Sequence, residues 1–117
     1  MKKILIIEDD KDTLDAIHYL AEDLNADVIV SSRILPIGEI QSILPDLILM
    51  DHWVNNKLGG DLCSEIKSNP LTKHIPVFMV SAHNNIQQIA ETSCANGYLA
   101  KPFDLDEITA IIKQFIT

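Results

Sequence analysis

The sequence is poor in cysteine, in basic residues and in long apolar runs. Its two cysteines, Cys63 and Cys94, show neither close pairing nor CxxC spacing, which excludes a disulfide framework and fits reduced thiols serving as small buried apolar residues. Lys and Arg number 9 against 17 Asp and Glu, a formal net charge of −8. Charge of this sign repels nucleic-acid phosphates and anionic lipid, and no local basic patch offsets it, so no direct nucleic-acid contact is expected. Small cations are the favoured counterparts. The opening apolar run, Ile4-Leu5-Ile6-Ile7, is cut by Glu8-Asp9-Asp10, well short of a secretory h-region. No stretch approaches the roughly 18 consecutive apolar residues of a membrane helix, so a cytoplasmic protein without membrane attachment is expected.

What is present suffices for one core. The chain is 47% hydrophobic and 22% charged, close to the globular average. Size scaling gives a folded surface of roughly 6,400 Å² and burial of about two-thirds of the extended surface. One domain over residues 1–117 is expected. Short apolar runs at residues 4–7, 28–30, 47–50, 77–80 and 98–100 alternate with segments whose apolar residues recur three and four apart. The helical segments are marked by Leu14, Ile17, Leu20 and Leu24; by Ile37, Ile40, Ile43 and Leu44; by Leu62 and Ile66; by Ile86, Ile89, Ala90 and Cys94; and by Leu105, Ile108, Ile111, Ile112 and Phe115. Runs too short for helices, alternating with amphipathic helices, predict a (βα)₅ α/β fold: a doubly wound, five-stranded parallel sheet with helices on both faces. Breakers agree with this, with Pro36 opening the second helix and Gly59-Gly60 preceding the third. Asp104 and Glu107 form a candidate capping box for the last helix.

In such a sheet, functional groups gather at the carboxyl ends of the strands, beside the switch in strand order. Glu8, Asp9 and Asp10 follow the first strand, Asp51 the third, Ser81 the fourth and Lys101 the fifth. Carboxylates converging from two strand ends repel unless a cation joins them. Hard oxygen ligands without a Cys or His cluster select Mg²⁺. Mg²⁺ and Lys101 balance three carboxylates and leave room for a phosphoryl group between them, an arrangement suited to phosphoryl transfer. Asp51 is the candidate nucleophile, forming an acyl phosphate. Ser81 and Lys101 are placed to bond its oxygens.

The run ending in Glu8-Asp9-Asp10, the Leu47-Ile48-Leu49-Met50-Asp51 strand end, Gly59, Ser81-Ala82 and Tyr98-Leu99-Ala100-Lys101-Pro102-Phe103 together resemble the receiver domain of two-component response regulators. The resemblance covers nearly the whole chain and implies a flavodoxin-like, CheY-like receiver fold. It also implies transfer of a phosphoryl group to Asp51 from a sensor histidine kinase or a histidine phosphotransfer protein. Glu8 and Asp9 match the acidic pair that holds Mg²⁺ with Asp51, and Trp53 matches the residue that lends its backbone carbonyl. Asp10 matches a less essential third acid. Ser81 and Tyr98 match the switch pair, which remodels the face of the fourth helix, fifth strand and fifth helix for a downstream protein target or a weak homodimer. Lys101-Pro102 matches a peptide bond that is usually cis.

Receivers often carry Met-Pro where this chain has Val54-Asn55, which implies a looser loop beside the metal site. The segment from Ser81 to Lys101 is about two residues shorter than is common. His52 and His83 flank proposed site residues and are candidates to affect the lifetime of the acyl phosphate. The chain is expected to be a phosphoacceptor regulator, with at most self-catalysed phosphotransfer and autodephosphorylation, rather than an enzyme with an external substrate. Two alternatives remain: a receiver-like interaction scaffold that is not phosphorylated, and a small-phosphate hydrolase with an aspartate nucleophile. The hydrolase lacks the second Asp two residues after the nucleophile, where Trp53 stands.

Overall fold

The computed structural model describes residues 1–116. Strand β1 (Lys3–Ile7) leads to helix α1 (Lys11–Asp23), β2 (Asp27–Ser31) to α2 (Ile37–Ile43), and β3 (Leu47–Met50) to a small hairpin of β4 (Trp53–Val54) and β5 (Lys57–Leu58). Then come α3 (Gly59–Ser68), β6 (Val77–Ser81), α4 (Ile86–Thr92), β7 (Gly97–Ala100) and α5 (Leu105–Ile116). Strands β2-β1-β3-β6-β7 form one parallel sheet of five, the doubly wound (βα)₅ arrangement predicted from the alternation.

The apolar runs are continuous because the inner strands have no polar side to show. Successive side chains of a strand point to opposite faces, so each run supplies two cores. Leu5, Ile7, Ile48, Met50, Val77 and Met79 pack against Ile40, Leu62, Ile66, Ile86 and Ala90 of α2, α3 and α4. Ile4, Ile6, Leu47, Leu49 and Val80 pack against Ile17 and Ala21 of α1 and Ile108 and Ile112 of α5. The resulting accessible surface, 6271 Å², is what a single compact chain of this length exposes.

Two registers position the polar rim. Ile7 lies opposite Met50, and the Asp51 N–H donates to the Ile7 carbonyl at 3.0 Å, so Glu8 and Asp51 leave the sheet side by side. Ser81 lies opposite Ala100, and its carbonyl accepts the Lys101 N–H at 3.0 Å. The strand order reverses between β1 and β3, so Glu8 and Asp51 leave the sheet at its switch point, with Ser81 and Lys101 at the ends of the neighbouring strands β6 and β7.

Three expectations need correction. Gly59 and Gly60 are the first two residues of α3 rather than the turn before it. Both have negative φ, so their role is size: a Cβ on Gly59 would collide with the Asp51 carbonyl oxygen, and one on Gly60 would meet the His52 ring at 3.0 Å. The segment at Val54-Asn55 is not loose. Asn55 and Asn56 have φ of 50° and 63°, the two left-handed residues that a type I′ hairpin turn requires and asparagine tolerates, and Val54 is fully buried. Cys94 is exposed, because α4 stops at Thr92 and Cys94 turns away with φ 64°, whereas Cys63 is buried as expected. At α5, the Glu107 carboxylate accepts the Asp104 N–H at 3.1 Å, one half of the expected capping box.

Gly59→Ala is expected to cost about 2 kcal/mol of stability, because the added methyl meets backbone that has no rotamer to yield. Urea denaturation measures this, and a cost close to zero would show that the Asp51 carbonyl is free to move.

Candidate functional site

Glu8 and Asp51 start from adjacent strand ends, and Lys101 reaches them from the end of β7. The Lys101 Nζ donates to Glu8 Oε1 at 2.5 Å and to Asp51 Oδ2 at 3.2 Å. One carboxylate oxygen from each of Glu8, Asp9 and Asp51 lies within 4.8 Å of the other two. Backbone donors hold these groups in place. The Asp10 N–H donates to Glu8 Oε2 at 3.2 Å, the Asn55 N–H to Asp9 Oδ2 at 3.0 Å, and the Trp53 N–H to Asp51 Oδ1 at 3.4 Å. The Lys101-Pro102 peptide is cis.

Burial and ionic partners act in opposite directions on Glu8 and Lys101. Glu8 is 2% exposed, and burial pushes its carboxyl up to about 7, aided by the charge of Asp51 and opposed by the hydrogen bond and charge of Lys101. Burial alone would lower Lys101. Its hydrogen bond to Glu8 and the charges of Asp51 and Glu8 outweigh that and hold it above the ordinary lysine value. The ammonium therefore stays charged while one of its carboxylate partners is poised near neutrality. Three carboxylates around one ammonium, with no sulfur or imidazole among them, form a donor set that fits a hard divalent cation.

Ser81 ends β6 nearly fully buried, and its hydroxyl accepts the His83 N–H at 3.2 Å. In this conformation it is bonded to its own loop and not to Asp51. Tyr98, the second residue of β7, is 40% exposed. Trp53 is 53% exposed at the foot of the hairpin, two residues from Asp51. The His52 and His83 rings meet edge to face at 5.7 Å between centroids, and burial followed by the His83 charge lowers His52.

Three roles escaped the sequence. Asp10 is the N-cap of α1, accepting from the Thr13 N–H at 3.1 Å and its hydroxyl at 2.6 Å; the Asp-x-x-Thr spacing carries that signal. His52 replaces a side-chain cap on α3, its carbonyl accepting the Gly59 N–H and its Nδ1 the Gly60 N–H at 3.1 Å. No sequence rule anticipates a ring in that place. Asn55 supports Asp9, and the Asn-Asn pair between Val54 and Lys57 is a readable hairpin signal.

The family model for the response regulator receiver domain matches residues 4–113. The chain belongs to this family. A putative response regulator of Chloroflexus aurantiacus has a similar solved structure, with a TM-score of 0.89 and 25% identity over 97% of this chain and 96% of that one. The receiver domain of a sensor histidine kinase from Pseudomonas aeruginosa, solved with a magnesium ion coordinated in its active-site cleft, is 26% identical, with a TM-score of 0.80 and coverage of 98% and 97%. The phosphate regulon transcriptional regulatory protein PhoB of Rhizobium meliloti is 27% identical over 120 residues, which cover 99% of this chain and 52% of that protein. The chain spans about half the length of several curated relatives it matches. The fold is thus the flavodoxin-like receiver fold, of two-component signalling, and receiver domains are typically phosphoacceptor regulators rather than enzymes. Among the described residues, no helix of this receiver is long and apolar enough to cross a membrane.

A carboxyl group whose pKa is higher in the folded than in the unfolded chain binds more proton when folded, so stability falls as pH rises between the two values. For Glu8 that window runs from 4.5 to about 7. In urea denaturation of the metal-free receiver, stability relative to Glu8→Gln is expected to decline across this window and level off above it. A relative stability that instead grows with pH would mean that attraction to Lys101 outweighs the burial of Glu8.

Proposed function

We propose that this receiver is phosphorylated on Asp51 by the phosphohistidine of a sensor histidine kinase or of a histidine phosphotransfer protein. The observation that carries the reading is the convergence of Glu8, Asp9 and Asp51, with Lys101 bonded to two of the three. An Asp51 carboxylate oxygen attacks phosphorus, the phosphorus–nitrogen bond to the donor imidazole breaks, and the departing nitrogen takes its proton from water. Lys101 shifts from its carboxylate partners toward a phosphoryl oxygen, supplying the positive charge that the transfer demands. Glu8, Asp9, Asp51 and the Trp53 carbonyl would hold Mg²⁺, which when bound supplies neutralisation of the phosphoryl oxygens. The magnesium-bound relative supports this choice of ion.

Ser81 gives up the His83 N–H and turns its hydroxyl to the new phosphoryl group. Tyr98, now half exposed, turns inward into the space that Ser81 leaves. The face formed by α4, β7 and α5 then changes shape and engages a downstream protein in the cytoplasm, without direct contact to nucleic acid, or pairs weakly with a second copy. Catalysis by this chain is limited to its own phosphorylation and the hydrolysis of its own acyl phosphate.

Trp53 is the single tryptophan and sits beside Asp51. Its fluorescence is expected to change on addition of Mg²⁺ and again on addition of phosphoramidate, and Asp51→Asn should abolish the second change. Persistence of the second change in that variant would move the nucleophile elsewhere. Sedimentation of the phosphorylated receiver should give a mass that rises with concentration; a constant monomer mass would remove the homodimer.

A further inference from the structure

The Trp53–Leu58 hairpin has no part in the alternation of five strands and five helices, yet it touches the acidic site directly. Asp9 is the exposed member of the acidic trio. A carboxylate at the surface samples several rotamers unless something holds it. The Asn55 N–H does so, donating to Asp9 Oδ2 at 3.0 Å. The hairpin is itself anchored at three further points. Val54 is fully buried, Trp53 and Val54 pair with Leu58 and Lys57, and the Asn55 side-chain amide donates to the Ser32 carbonyl at 3.2 Å.

This support depends on residues that depart from the receiver pattern. Asn55 stands where receivers often carry proline, and proline has no N–H to donate and fixes φ near −65°. Asn55 has φ 50° and uses its N–H on Asp9. The hydrogen bond therefore cannot form in a chain with the commoner Met-Pro. We infer that Asn55 is a positioning residue for the cation: the type I′ hairpin presents its N–H to Asp9, holds that carboxylate toward Glu8 and Asp51, and so sets the affinity for Mg²⁺. The inference rests on the reading of Glu8, Asp9 and Asp51 as a magnesium site. Partners that orient a metal ligand are typically worth 10- to 100-fold in affinity.

The test is calorimetric titration of the whole chain with MgCl₂, alongside urea denaturation without metal. Asn55→Pro removes the N–H and the left-handed conformation together, and should weaken Mg²⁺ binding about tenfold. Asn55→Gly keeps both while losing the tie to Ser32, and should stay within about threefold of the parent. Asn56→Gly creates the favoured Asn-Gly turn and should tighten binding by about twofold, an effect that damaged folding cannot produce. Folded Asn55→Pro that binds Mg²⁺ as tightly as the parent overturns the inference. Should Asn55→Pro fail to fold, Asn56→Gly decides, and unchanged affinity there overturns it equally. A parent chain that takes up no Mg²⁺ overturns the magnesium site itself, an outcome distinct from variants that bind alike.

Discussion

Three carboxylates held within 4.8 Å of one another at the edge of an apolar sheet repel, and one ammonium, that of Lys101, stands among them. Much else in the molecule is arranged around that repulsion. The sheet places Glu8 and Asp51 on adjacent strand ends, where their backbones cannot separate without breaking the β1–β3 ladder. Burial of Glu8 relieves part of the strain by favouring its neutral form. The N–H groups of Asp10, Trp53 and Asn55 oppose the rest, one for each carboxylate. These fixed dipoles are inexpensive because each sits in a turn that the chain makes anyway.

The loops beside the site are tied to the sheet and to one another by specific contacts. Gly59 must be small so that α3 can start against the Asp51 carbonyl, and the His52 carbonyl and ring together satisfy the first amides of that helix. The His83 ring then meets the His52 ring edge to face, while the His83 N–H holds the Ser81 hydroxyl. The loops after β3 and β6 are thus in contact through two imidazoles. The Ser81 hydroxyl is thereby held in a defined, hydrogen-bonded position at the end of β6.

The strand ends were legible because the strands themselves are unambiguous. A run such as Leu47-Ile48-Leu49-Met50, buried on both faces, makes the first polar residue after it conspicuous, and Glu8, Asp51 and Ser81 stand out in this way, whereas Lys101 follows the edge strand β7, in which only Leu99 is buried. Contacts between loops were not legible in the same manner. Nothing in the spacing of Asp9 and Asn55, 46 residues apart, signals a hydrogen bond, and the His52 ring serves as a helix cap only because α3 begins beside it. Cys94 continued the apolar spacing of the fourth helix on paper, but the helix ends before reaching it.

Local pattern decided the order of the elements, the apolar faces and the residues at the rim, since hydrophobic period and breakers act over a few neighbours in the chain. The tertiary structure decided the distances: which oxygens face Lys101, how deeply Glu8 is buried, and which backbone amide meets Asp9. Those quantities depend on strand register and on loops far apart in sequence. A shift of one residue in the pairing of β1 with β3 would leave the composition of the rim unchanged while separating its charges.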